Sequence, residues 1–326
     1  MDGSPLPMIT PHSASLSPAH VLPRTAVLVL NHGSDNFEAH SSRLHAALRH
    51  TALQVVEQID IRDIDRLARW IDRAPGERPM VVASGGDGTV GAVAGRVAQT
   101  GTTLGILPLG THNDTARSLG IPRRIEDAVE LLVSGKFSTV DAARFAPSAG
   151  EPRYFVQAGT LGMEVAFARL TTKASVRKRL GRFTYLVTTV RALRKRRPLS
   201  CDLIIDGRRM QVCLLYLGVF NAPIFGGPLD LRLQGASIDN RRLAVLAIAG
   251  MPLRRLLLAM VSILLGRTPR MRGVEVYQTS RLEVDCRHPL QVTLDGEIAG
   301  QVPGTFVLAP EALQVVTPWD FEDRNE

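Results

Sequence analysis

Residues 81–90 read VVASGGDGTV: two β-branched residues suited to a buried strand, then a glycine pair, an acid, a third glycine and a hydroxyl. A glycine has no Cβ, so the peptide N–H groups around it can approach phosphate oxygens closely and φ can turn positive. Gly85, Gly86 and Gly88 therefore predict an anion cradle at a strand end. Asp87 would point toward a magnesium ion, and Thr89 would offer its hydroxyl where the next helix begins. A tight strand-to-helix turn without a ligand would use the same residues. No Gly-Lys-Ser/Thr follows, so this is not a Walker loop, and the spacing is not the GxGxxG dinucleotide fingerprint.

Outward from this loop, strands and helices alternate. AVLVL (26–30) reads as a buried strand, followed by the polar loop NHGSDN and a helix-like stretch. LQVVEQI (53–59) is a second strand, and DIDRLARWIDRA (63–74) carries the apolar stripe of an amphipathic helix at Ile64, Leu67, Ala68 and Ile71. PMVVAS and TLGILPLG supply two more strands. This order predicts a parallel, Rossmann-like sheet covered by helices, with the loops NHGSDN, GGDGT and PLGTHND converging at the carboxyl ends of the strands. After residue 145 the pattern changes. Turn chemistry in SAGEP (148–152) precedes many short strand-like runs, which predict a mainly antiparallel β-sandwich. The chain thus divides into a disordered Pro/Ser-rich tail (1–24), an α/β domain (25–145), a β-sandwich (146–305) and a last segment (306–326) packing back on the first domain.

The longest apolar run, 256–265, is half the length of a spanning helix of about 20 residues. The first twenty residues lack a basic start and an apolar stretch, so a cytoplasmic location is expected. Of the 326 residues only three are cysteines. Cys201 and Cys213 flank a hairpin on Asp206-Gly207 whose register puts the two thiols on opposite faces, and no disulfide is expected. Formal charge is +8, and ten basic residues without an acid lie between Lys173 and Arg197. A solvated helix face explains most such runs. Here the apolar FTYLVTTV lies within it, and MPLRRLLLAMVSILLGRTPRMR (251–272) again joins arginines to apolar residues, as suits an anionic membrane surface. Aromatic residues are 5% and no helix-turn-helix, zinc or RNP pattern is present, which argues against nucleic acid.

GGDGT followed by GILPLGTHNDTARSLGIP resembles the diacylglycerol kinase catalytic domain family of lipid kinases, which includes bacterial diacylglycerol kinases and sphingosine kinases. YFVQAGTLGMEVAF, NAPIFGGPLDLRLQGASID and VTLDGE resemble further segments of the same family, so the likeness covers nearly everything after residue 25. It implies ATP and Mg2+ as cofactors, a lipid hydroxyl as acceptor, and a nucleotide site formed by Gly85, Gly86, Asp87, Gly88, Thr89 and Thr111. Asn31 and Ser34 keep two positions of the family's first loop, beside an unexpected acid, Asp35. Asn113 and Asp114 would order the second loop or bind magnesium-linked water, and Glu297 matches the family's proposed general base. Taken without the resemblance, Glu297 reads as a solvent-facing residue after a common Asp-Gly turn. Gly91-Ala92 stands where the family has Asn-Glu, and Gln58 near an expected threonine. Asn240-Arg241 replaces an Asp-Gly whose acid helps hold a structural magnesium, leaving only an uncharged amide oxygen to ligate.

The expected protein is a peripheral ATP-dependent lipid kinase working in the cleft between its domains, with a homodimer possible. Two other readings stay open: a non-catalytic lipid-binding homologue, and a soluble-substrate kinase of the NAD kinase type.

Overall fold

The structure, a computed structural model, describes residues 22–33, 37–74, 77–162, 199–225, 231–233, 235–252, 254–255, 258, 262 and 272–322. Ser34, Asp35, the basic run 173–197 and most of 251–272 lie outside them.

Four parallel strands, β1 (Thr25–Leu30), β2 (Gln54–Asp60), β3 (Met80–Gly85) and β4 (Thr103–Pro108), lie side by side in the order β4-β3-β1-β2. All of β3 and β4 is buried, which explains why their sequences are near-continuous apolar runs. Helices α1 (Phe37–Arg49), α3 (Asp87–Val97) and α5 (Ile125–Ser134) supply Leu44, Val93, Val97, Val129 and Leu132 to one core with Leu28, Val82 and Ile106. This is the expected α/β domain.

The helix expected over 63–74 is not a single α-helix. A 3-10 helix, Ile61–Leu67, leads into one α-helical turn, α2 (Ala68–Ile71), with Asp63 at φ −104° and ψ 27°. The Asp60 carboxylate caps this 3-10 helix by accepting a hydrogen bond from Arg62 N. Ile64 and Leu67, three apart, stack on one face of a three-residue turn as well as on an α-helix, so the apolar stripe does not discriminate between them. Leu67 and Ile71 are buried in either case.

The second half is built from antiparallel strands: β5 (Lys136–Pro147), β6 (Arg153–Phe155), β7 (Ala158–Gly162), β8 (Leu199–Ile205), β9 (Arg208–Phe220), the short pair β10 (Ile224–Phe225) and β11 (Leu231–Arg232), β12 (Leu243–Ala249), β13 (Val274–Thr279), β14 (Arg281–Cys286), β15 (Leu290–Leu294), β16 (Glu297–Val302) and β17 (Gly304–Thr317). Its core centres on Phe306, whose ring lies 4.7 Å from Phe145 and edge-on to Phe155 at 6.1 Å. Such ring pairs add about 0.5–1.5 kcal/mol each beyond their burial. β17 belongs to both halves. It pairs antiparallel with β5 and β14 and parallel with β4, at Gln314–Thr103 and Val315–Leu104.

The β8–β9 hairpin has the expected register, with Ile205 opposite Arg208 and Cys201 opposite Val212. The expectation of unpaired cysteines fails: Cys201 is disulfide-bonded to Cys286. β14 lies on the other side of β8 and sets Cys286 directly across from Cys201, 85 residues away in sequence. Local spacing around Cys201 and Cys213 holds no trace of that neighbour.

Candidate active site

The site begins where β3 turns into α3. A Cβ on Gly85 would strike the Thr89 side chain, and one on Gly110 would strike the backbone of Gly86, so the two glycine loops touch at a distance only bare backbone permits. Gly86 caps α3 without a side-chain cap hydrogen bond, and among the described residues no side chain takes the first-turn N–H groups, an arrangement suited to anions. At the end of β1, Asn31 donates from Nδ2 to Thr89 Oγ1 at 3.4 Å and accepts from Gly33 N at 3.1 Å. On the β4 side Asn113, at φ 54°, accepts from Gly110 N and donates to the carbonyls of Pro108 and Gly110. Asn113 thereby closes the GTHND loop on itself. Thr111 is exposed at its tip, and Asp114, the first residue of α4 (Asp114–Ser118), is buried and paired with Arg117 at 3.1 Å.

Asp87 is held by one oxygen. Its Oδ1 accepts from Thr115 N at 2.9 Å and from Gln157 Nε2 at 3.0 Å, and among the described residues Oδ2 has no partner. No three His, Cys, Asp or Glu side chains form a cage among the described residues. A free carboxylate oxygen beside an anion cradle fits magnesium that arrives with phosphates and keeps water ligands. Asn240 is engaged elsewhere: its amide donates to Gly235 O and accepts from Arg242 N. Arg241 beside it, at φ 56°, donates its N–H to Asp141. Burial raises the Asp141 carboxyl above the ordinary aspartate range, against the pull of that N–H and of Glu311 N.

The second domain reaches this rim through the β15–β16 turn. Asp295 and Gly296 take φ of 48° and 90°, the two positive values a two-residue hairpin loop of this hand needs. That turn directs Glu297 toward α3, where its Oε1 lies 3.5 Å from the place a Cβ on Gly88 would occupy. Glu297 is exposed to a cleft of about 430 Å³ whose walls include Gly88, Gly91, Gly95, Arg96, Arg153 and Tyr154. The structure thus brings Gly85 to Thr89, Asn31, Asn113 and Glu297 into one neighbourhood.

Two residues of this neighbourhood were not singled out from the sequence. Asp295 accepts three peptide N–H groups, from Val156, Gln157 and Ala158, at 2.9–3.0 Å. Burial pushes its carboxyl up to about 6 against the pull of those bonds, and the charge of Asp87 adds to the push. Gln157 links Asp295 to Asp87. The Asp-Gly turn at Asp295 has a local sequence signal, but the partners of both side chains do not, because they lie 70 residues or more away.

Residues 25–145 match the Diacylglycerol kinase catalytic domain, and residues 159–317 match the YegS C-terminal NAD kinase beta sandwich-like domain. The Klebsiella pneumoniae protein named "Probable lipid kinase YegS-like" is 30% identical over 244 residues, 74% of this chain and 78% of that one. The chain belongs to the diacylglycerol kinase catalytic domain family. A "Diacylglycerol kinase" of Mycobacterium tuberculosis is 29% identical over 293 residues, covering 88% of this chain and 92% of its own. A crystal structure of a diacylglycerol kinase from Bacillus anthracis superposes with a TM-score of 0.69 at 18% identity, over 91% of this chain and 98% of that one, which shows the shared fold. As a diacylglycerol kinase family member the chain is a lipid kinase.

One departure from the family has a structural counterpart. A Cβ at Gly91, where the family carries Asn, would meet Asp295 Oδ2 at 2.7 Å. With the Asp295 turn packed this close to α3, position 91 has no room for a side chain.

Proposed function

We propose that the protein transfers the γ-phosphate of ATP to the hydroxyl of a diacylglycerol-like or sphingoid lipid, with Mg2+, in the cleft between α3 and the β15–β16 turn. The observation that carries the reading is the approach of Glu297 to Gly88, which sets a carboxylate of one domain beside the phosphate cradle of the other. Phosphoryl transfer asks for charge neutralisation and an acceptor held in line more than for covalent help. Peptide N–H groups of Gly86 to Thr89 would hold the phosphates, with Asn31 and Thr89 fixing the edge of the cradle. Asp87, through its open Oδ2, is the carboxylate that would hold the metal, which supplies further charge neutralisation; Asp114 is buried and paired with Arg117. Glu297 would accept the acceptor hydroxyl's proton as the new P–O bond forms. The lipid's chains would stay in or near a membrane. The sequence supports docking on an anionic surface through the basic segments 173–197 and 251–272, where each Lys or Arg contributes roughly 1 kcal/mol. Among the described residues no helix is long and apolar enough to cross a membrane. A homodimer stays within the proposal.

Incubating the protein with γ-labelled ATP, a total lipid extract and added NAD tests this directly. Label should enter a lipid, Asp87→Ala should abolish the transfer, and Glu297→Gln should slow it by about 10²–10⁴. Label entering NAD instead would replace the acceptor class. Folded protein that labels nothing would favour a lipid-binding role without chemistry.

A further inference from the structure

Asp87 belongs to the first domain, yet one of its two orienting donors comes from the second. Gln157 lies between β6 and β7, and its backbone is fixed on both sides. Its N–H donates to Asp295 Oδ1 at 2.9 Å, and its carbonyl accepts from Asn221 N at 2.8 Å and Ala222 N at 3.2 Å. Asn221 is itself fully buried and bonded through Nδ2 to the carbonyls of Asp141 and Val156. With its backbone so held, the half-buried Gln157 side chain donates from Nε2 to Asp87 Oδ1 at 3.0 Å. Together with Thr115 N that donor occupies the acceptor capacity of Oδ1, so the carboxylate cannot rotate without losing two hydrogen bonds. Oδ2 is left as the oxygen available to a ligand.

The donor's chemistry matters as much as its place. Gln157 stands between two carboxylates: its backbone N–H donates to Asp295 and its side-chain carboxamide to Asp87, and the carboxamide adds no charge of its own.

We infer that Gln157 is a positioning residue for the metal–nucleotide site, by which the β-sandwich domain aims Asp87 so that Oδ2 alone faces the bound phosphates. This rests on the nucleotide site proposed above. Its consequence is that the first domain's site is complete only when the second domain is docked against it.

Calorimetric titration with ADP, which permits no turnover, tests the inference. Each protein is titrated once with Mg2+ and once in EDTA. Gln157→Ala and Gln157→Asn, the latter one methylene too short to reach Asp87, both keep the backbone bonds that anchor the segment. Each should weaken magnesium-dependent ADP binding about tenfold or more, the effect of losing a hydrogen bond to a charged group, while metal-free ADP binding stays at the wild-type value. Unchanged binding in both titrations, or equal weakening with and without the metal, overturns the inference and leaves the kinase reading in place. Wild-type protein that binds ADP in neither titration overturns the nucleotide site itself, and the role of Gln157 with it.

Discussion

Asp206 and Asp295 occupy the same position of the same kind of turn, each at φ 48° before a glycine of positive φ, and their side chains do different work. Asp206 accepts a single hydroxyl, from Thr279, while Asp295 gathers three peptide N–H groups and faces the carboxylate of Asp87. The Asp-Gly dipeptide was legible in both places as a hairpin signal. What distinguishes them was not, because it depends on strands β6 and β7 arriving from more than 130 residues upstream. Two predictions belong to this residue. Its carboxyl is raised to about 6, so it contributes stability fully below the ordinary aspartate pKa and loses that contribution as pH rises through 6. The stability advantage of wild type over Asp295→Asn should therefore be largest near pH 4 and shrink by about 2 kcal/mol toward pH 7, measured by urea denaturation across that range. Restoring the family's residue with Gly91→Asn should cost about 1–3 kcal/mol by overpacking against Asp295 and should lower activity by displacing Glu297. A melting curve and turnover matching wild type would show that the turn yields freely.

Among the elements, parallel strands were the easiest to foresee, since burial on both faces makes VVAS or AVLVL apolar without alternation. The segment after β2 was harder. Apolar residues three apart serve a 3-10 turn and an α-helix equally, and an Asp N-cap suits either, so neither signal separates them. Cross-strand neighbours were out of reach altogether. β8 lies between β9 and β14, and the sequence near Cys201 specifies only the nearer hairpin partner. The Cys201–Cys286 bridge gives this register a test. Cys286→Ser should lower stability by about 2–4 kcal/mol in oxidising buffer, and the difference should vanish when both proteins are denatured in guanidinium with excess dithiothreitol. An equal midpoint in both buffers would mean that the pair does not bridge in solution.

On the scale of the molecule, β17 is the element that refuses a two-part description. Leu313, Val315 and Val316 sit in the core of the first domain, while Phe306 and Leu308 sit in the core of the second. An irregularity between Ala309 and Leu313, with Glu311 at φ 53°, shifts the register where the strand passes from one to the other. In the sequence, TFVLAP (305–310) reads as a strand and the rest of β17 does not, because the bulge interrupts the alternation that would mark the full length. Ending the chain at residue 303 should therefore unfold the first domain as well as trim the second. Circular dichroism and hydrogen exchange of that truncated protein should show no protected β1, β3 or β4 amides, and a protected parallel sheet would refute the coupling.

The strand that seals β4 is also made late. While a ribosome translates this chain, the earlier sheet must emerge with one flank bare and stay so until everything through residue 317 has left the exit tunnel. Newborn protein would pass through an interval in which an apolar ladder is open to pairing with foreign strands.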